Sequence, residues 1–141
     1  MSKPPQQKPP SASDAAVEQR YTVRGIVRHG DRRGKKLGYP TANVWIHQDI
    51  RDGVYTSMIR VRGIWHPSVT FIGAAKTFNK KQRLLESHIF DFQKTIYGEW
   101  VSVRLFTHIR GNKKFDSVED LLQAMRSDCR AARSYFVSYD T

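Results

Sequence analysis

The hydrophobic pattern of the chain changes period once, near Ser117, and that change restricts the fold more than any other feature. Before it, apolar residues alternate with polar ones in short runs punctuated by turn-forming residues. In "YTVRGIVR", Tyr21, Val23 and Val27 alternate with Thr22, Arg24 and Arg28, and Gly25 inside the run marks a bulge or a tight barrel bend. Further strand-like runs are "TANVWI", "GVYTSMIRV", "IWHPSVTFIG" after a hairpin at Arg62-Gly63, "LLESHIFDF", and "WVSVRLFTHI" after a turn at Tyr97-Gly98. Beyond Ser117 the spacing becomes helical, with Val118, Leu121, Leu122, Met125, Cys129, Ala132 and Phe136 forming one apolar stripe. Ser117 or Asp116 can cap that helix, and Glu119 and Asp120 suit its positive end. Roughly six short strands followed by one helix of about five turns predict a mainly β barrel or sandwich with the helix packed on it.

The 141 residues suffice for one domain with a core of its own. Residues 1–19 are rich in Pro, Gln, Ser and Lys and are expected to be a disordered tail or linker remnant, with the folded domain at 20–141. One cysteine, Cys129, cannot form an intramolecular disulfide, which fits a reducing compartment. No apolar run approaches the roughly 20 residues of a membrane span, and the N-terminus has no apolar h-region. A cytoplasmic protein without a membrane partner is therefore expected.

The formal charge is +11. Between Arg20 and Lys36 the basic residues are Arg20, Arg24, Arg28, Arg32, Arg33, Lys35 and Lys36, against Asp31 alone. Such a field attracts nucleic acid, acidic head groups or nucleotide phosphates without choosing among them.

Chemistry has few places to reside. The histidines show no paired ligand spacing, and Cys129 lies on the apolar stripe, where packing explains it. "GDRRGKK" is not a P-loop, because three residues separate Gly30 from Gly34 and Lys35 is followed by Lys36. Gly30, Gly34 and Gly38 would still let backbone N–H groups approach an anion, with Lys35 and Lys36 adding charge; a plain hairpin loop is the simpler alternative. Pro40 stiffens the entry to the next strand. On a strand Thr41 and Asn43 face the same way, and their neutral oxygens suit a hard cation such as Mg²⁺ that also binds phosphate, although both residues also open strands for ordinary hydrogen-bonding reasons. Glu86 shares a strand face with Leu84, His88 and Phe90, mostly apolar company for a carboxylate. It has either an arginine or lysine partner or a catalytic task, and at neutral pH an ordinary glutamate could accept a proton from an alcohol.

In this order the segments resemble the riboflavin kinase (flavokinase) domain. They are "GIVRHGDRRGKKLGYPTANV", "GVY", "IGAAKTF", "LESHIFDF" with "IYG", "IRGNKKFDSVEDL" and the closing helix with "SDCRAAR". The likeness runs from Arg20 to Phe136, and its most specific parts are LGYPTAN and the E-x-H-I-x-D-F…YG block. The resemblance implies a closed six-stranded, Greek-key-like β-barrel with one C-terminal α-helix. It also implies transfer of the γ-phosphoryl group of ATP to the 5′-hydroxyl of riboflavin, with a divalent cation, giving FMN and ADP. Thr41 and Asn43 would hold Mg²⁺ and phosphates, and the Gly30–Gly38 loop with Lys35 and Pro40 would close over the nucleotide. Glu86 would be the general base. Flavin would lie near Phe115 and the 118–136 helix.

Departures from the family pattern are Lys35 where Arg is usual and Lys76 where Pro is typical. Bacterial members commonly carry an adenylyltransferase domain, and residues 1–19 are too few for one, so this chain is expected to make FMN and not FAD, either alone or as a module of a longer parent. Two rival readings are a basic barrel that binds nucleic acid, with aromatics such as Trp45, Tyr55, Trp65, Phe71 and Phe78, and a degenerate flavin binder without turnover. The first offers no reason for PTAN or Glu86, so nucleic acid is the less favoured partner.

Overall fold

The computed structural model describes residues 21–29, 41–74 and 82–140. The expected tail, the loop residues Gly30, Gly34, Lys35 and Gly38, Pro40, and the two residues Lys76 and Phe78 lie outside the described residues.

Six strands precede one helix: β1 (Tyr21–Ile26), β2 (Ala42–Ile46), β3 (Gly53–Val61), β4 (Ile64–Ala74), β5 (Arg83–Ile89), β6 (Trp100–Arg110) and α1 (Val118–Asp140). They pair antiparallel in the order β1-β6-β3-β4-β5-β2. The run β3–β4–β5 is a meander, and β6 returns to lie beside β3, which is a Greek key. The outermost strands then approach each other. Arg28 and Asn43 form a single bridge, the Arg28 N–H donating to the Asn43 carbonyl at 2.7 Å. The result is a nearly closed barrel.

Gly25 explains how the seam closes. A Cβ there would stand 2.3 Å from Val44 Cγ1, and valine's branched side chain has little freedom to yield. The glycine that interrupts the alternation of β1 is thus the point where β1 and β2 touch. The barrel interior is apolar along most of its length, with Val23, Val44, Ile59, Ile72, Leu85 and Val103 in one cluster. One strip of it is polar: Ser57 Oγ lies 2.7 Å from both Ser68 Oγ and Thr70 Oγ1, and Thr70 Oγ1 lies 2.5 Å from Ser87 Oγ. These fully buried hydroxyls serve as one another's partners, as burial of a polar group demands.

The helix packs on β3 and β4. Ser117 is its cap, with Oγ accepting the Asp120 N–H at 3.1 Å. Its C-terminal half buries Ala132 and Phe136 against Val54, Val69, Phe90 and Met58, Phe106. Its first turn does not follow the expected stripe. Val118 is 53 % exposed, because the barrel wall lies under the later turns only. A charged clasp replaces apolar burial at mid-helix: Arg110 at the end of β6 donates from Nε and Nη2 to both oxygens of buried Asp128, at 2.9 and 2.8 Å. Burial pushes the Cys129 thiol up, with the neighbouring Asp128 carboxylate adding to the shift, consistent with a packing role.

Candidate active site

Strand register brings the two ends of the sequence motif together. Asn43 of β2 is directly opposite Glu86 of β5, and Glu86 is in turn opposite Phe71 of β4. Opposed residues on an antiparallel pair share a face, with Cβ atoms about 5 Å apart. The buried faces of these strands belong to Ala42, Val44, Leu85 and Ile89, so Asn43 and Glu86 stand on the outer wall. Asn43 is buried and Glu86 half-buried.

Thr41 departs slightly from expectation. The strand begins at Ala42, which leaves Thr41 one residue outside it. The link to Asn43 persists in another form, since Asn43 Nδ2 donates to the Thr41 carbonyl at 3.3 Å. Thr41 also lines a cavity of about 480 Å³ at the end of the barrel, together with Ser87, His88, Lys94, Tyr97 and Arg133. That volume falls in the range of small-molecule sites. Two cations, Lys94 and Arg133, stand at its wall.

The roof of the cavity is the segment after β5. The chain turns at Phe90-Asp91 with Asp91 at φ 55°, an αL conformation that aspartate tolerates. Arg133 of α1 reaches this turn, its Cζ 4.3 Å from the Phe90 ring centre and Nη1 3.6 Å from Asp91 Oδ2. At the far side of the roof Ile96 enters the core, Tyr97 stacks on His29 with ring centres 3.7 Å apart, and Gly98 turns back at φ 80°. The Gly98 N–H donates to the Val27 carbonyl at 2.8 Å. Each residue of the "IYG" motif therefore has a mechanical task in holding the roof to the end of β1.

Asn112 lies within the family-like segment "IRGNKKFDSVEDL", where its local pattern gives it no role. Its Nδ2 donates to the Ile72 carbonyl at 3.3 Å. Gly73 makes room for it, since a Cβ there would meet Asn112 Nδ2 at 3.0 Å and the Phe71 ring at 2.7 Å. The loop before α1 is thereby laid over β4, one strand from Glu86. Phe115 in the same loop sits under Arg110 and Lys113, at 5.6 and 6.0 Å from its ring centre. Only a tertiary contact identifies Asn112; an asparagine between glycine and lysine reads as loop.

The family model for riboflavin kinase (flavokinase) matches residues 17–136, and the chain belongs to that family. It is 36% identical over 124 residues to a bifunctional riboflavin kinase/FMN adenylyltransferase of Listeria monocytogenes, covering 85% of this chain and 40% of that protein. It is 38% identical over 116 residues to the RNA-binding riboflavin kinase RibR of Bacillus subtilis, covering 79% of this chain and 50% of that one. A solved riboflavin kinase from Trypanosoma brucei shares the fold, with a TM-score of 0.60 at 24% identity over 84% of this chain and 80% of the other. The chain spans about two fifths of the length of the bifunctional relatives it matches.

Proposed function

We infer that this chain transfers the γ-phosphoryl group of ATP to the 5′-hydroxyl of riboflavin, giving FMN and ADP. Family membership supports the reaction class. The observation that carries the assignment to residues is the direct opposition of Asn43 and Glu86 across β2 and β5. It places an amide from PTAN and a carboxylate from the E-x-H block on one patch of wall, beside the cavity that Thr41 lines.

In this reading the nucleotide occupies the cavity, and riboflavin lies along the outer wall near Glu86, under the Asn112–Phe115 loop and α1. The Glu86 carboxylate accepts the proton of the ribityl hydroxyl as its oxygen bonds to the γ-phosphorus, and the bond to the β–γ bridging oxygen breaks to release ADP. Phosphoryl transfer asks a protein mainly for position and charge neutralisation. Lys94 and Arg133 supply cationic charge at the cavity wall.

A divalent cation fits the residues present. The amide nitrogen of Asn43 is committed to the Thr41 carbonyl, which leaves its Oδ1 as a neutral oxygen donor held by burial. The Thr41 hydroxyl is the second. Mg²⁺ asks for few protein ligands of this hard type, keeping waters and substrate phosphates for the rest. When bound, the ion would neutralise charge on the β- and γ-phosphates.

Incubation with riboflavin and MgATP, followed by chromatographic separation of riboflavin, FMN and FAD, tests the reading. FMN is the expected product. A folded protein that quenches riboflavin fluorescence but makes no FMN would be a flavin binder instead, and the reading would fail.

A further inference from the structure

The opposite wall of the barrel carries a different set of side chains. Register aligns Arg24 of β1 with Ser102 of β6, Ser102 with Arg60 of β3, and Arg60 with Trp65 of β4. Two residues along β6 on either side of Ser102, and therefore on the same face, stand Trp100 and Arg104. Neighbours of these positions in the ladder, Val23, Val61, Val101 and Val103, are interior, so the whole set faces outward. Four strands at ~4.8 Å spacing make the patch about 15 Å wide.

Its residues are stacked in pairs. Arg24 Cζ lies 5.5 Å from the ring centre of Trp100, and Arg104 Cζ lies 5.1 Å from that of Trp65. Arg24 and Arg60 are exposed, and Trp100 is 61 % exposed, an unusual degree for an indole. No carboxylate among the described residues pairs with Arg24, Arg60 or Arg104, whereas Arg62, Arg83 and Arg110 each meet one. Glu99, next to Trp100 in the chain, is held by Arg62 at 2.6 Å. Among the described residues the wall thus keeps its positive charge unneutralised, with the Trp100 indole in water and Trp65 half-buried, packed on its helix side against Met58, Phe106 and Phe136.

We propose that this outer wall of β1, β6, β3 and β4 binds single-stranded nucleic acid, as a second site separate from the kinase centre. Guanidinium groups meet phosphates, and indole and guanidinium planes offer stacking surfaces to unpaired bases. A duplex hides its bases, and a flat sheet cannot enter a groove; a single strand can lie across the strands of a sheet and present its bases to it. An acidic peptide would satisfy the arginines but leave the exposed Trp100 indole without a partner of matching shape. The wall lies on the other side of the barrel from Asn43 and Glu86, so occupancy does not require the nucleotide cavity.

The test is fluorescence anisotropy of a 3′-fluorescein 12-mer, oligo(U) in one arm and oligo(dT) in the other, with the full chain at 50 mM salt. Saturable binding that persists in excess MgATP is expected, with an affinity that falls as salt rises with a log–log slope of about −2, the value for three phosphate contacts on a single strand. Arg24→Ala/Arg60→Ala/Arg104→Ala should weaken binding at least tenfold and flatten that slope, with FMN formation unchanged. Trp100→Ala should weaken binding about tenfold at an unaltered slope. The Arg→Lys triple variant, which keeps charge and loses planarity, guards against a folding artefact and should fall between. Absence of binding, loss of binding with MgATP, indifference to the triple substitution, or equal displacement by poly-glutamate would each overturn the proposal. The binding readouts do not depend on turnover, so failure of the kinase reading would be seen separately.

Discussion

The two outer walls of this barrel are made from the same sheet and differ in almost everything that matters for chemistry. On the β2–β5 wall a buried amide and a half-buried carboxylate face each other beside a cavity. On the β1–β6–β3–β4 wall Arg24, Arg60 and Trp100 stand in solvent, with Arg104 and Trp65 half-buried and stacked on each other. The first wall is preorganised: Asn43 is held by the Thr41 carbonyl, and the adjoining roof is stapled by Tyr97, Gly98 and Arg133. On the second, Arg24 and Arg104 are stacked on Trp100 and Trp65, and Arg60 is exposed. Reaction chemistry needs fixed geometry in a partly dry site, whereas binding a flexible polyanion tolerates mobile cations. The walls meet twice, at the Gly25–Val44 seam and around α1, which is clasped to the barrel by Arg110 and Asp128.

The sharpest way to break this contrast is at Glu86. Glu86→Gln should reduce riboflavin phosphorylation by about 10² to 10⁴-fold, with riboflavin quenching and thermal stability near wild type. Turnover close to wild type would remove Glu86 as the base and leave the first wall without its reactive group.

The clasp comes next. Arg110→Ala would leave Asp128 buried without its partner and should cost about 3 kcal/mol of stability, at the lower end for broken buried pairs because the arginine keeps some solvent contact. Urea unfolding measures it, and Asp128→Asn in the same background should recover part of the loss. No loss would mean that α1 is held by its apolar turns alone.

At the seam, Gly25→Ala should destabilise by about 2 kcal/mol, since the added methyl must displace Val44. Gly25→Ala combined with Val44→Ala should relieve the clash and recover stability beyond additivity; a purely additive double variant would show that closure does not depend on this contact.

Thr41→Ala should raise the Mg²⁺ or MgATP concentration needed for half-maximal activity by about tenfold, with little effect on riboflavin binding. An unchanged requirement would take Thr41 out of the metal site.

The smallest effect concerns His66, whose pKa is lowered by burial first and by Lys94 second, and whose ring meets Phe92 of the roof edge-on at 5.1 Å. The folded state resists its protonation, so the unfolded chain binds more protons as pH falls below about 6.5. Stability should be flat above that pH and decline modestly beneath it, down to the lowered folded value. Thermal melts between pH 7.5 and 5.5 should show the decline, and His66→Gln should lose that component.

Much of the first wall was legible in sequence because its parts are contiguous. PTAN and the E-x-H-I-x-D-F block each lie on one strand or its margin, where spacing alone states which side chains share a face. Gly25 breaks the alternation of its own strand and reads as a bulge or a tight barrel bend; its register with β6 is in fact unbroken, and only the fold shows that the glycine makes room for Val44. Two readings needed adjustment for reasons no local pattern contains: Thr41 fell outside its strand, and Val118 remained in water because the helix overhangs the barrel. Asn112, to which the sequence gives no role, acquired its contact from β4.

Of the second wall the sequence offers only a basic barrel with scattered aromatics, Trp65 among them, and no surface that joins them. Arg24, Arg60, Arg104, Trp65 and Trp100 belong to four strands scattered along the chain, and read in order they are a basic composition with occasional aromatics. Amino-acid sequence determined the period of each segment, the switch from strands to helix, and which residues in a strand point together, since these follow from local backbone geometry. Tertiary structure alone decided which strand lies beside which and in what register. Pairing is a long-range choice settled by closing the barrel around one core, and a slip of one residue would have sent every side chain to the other face.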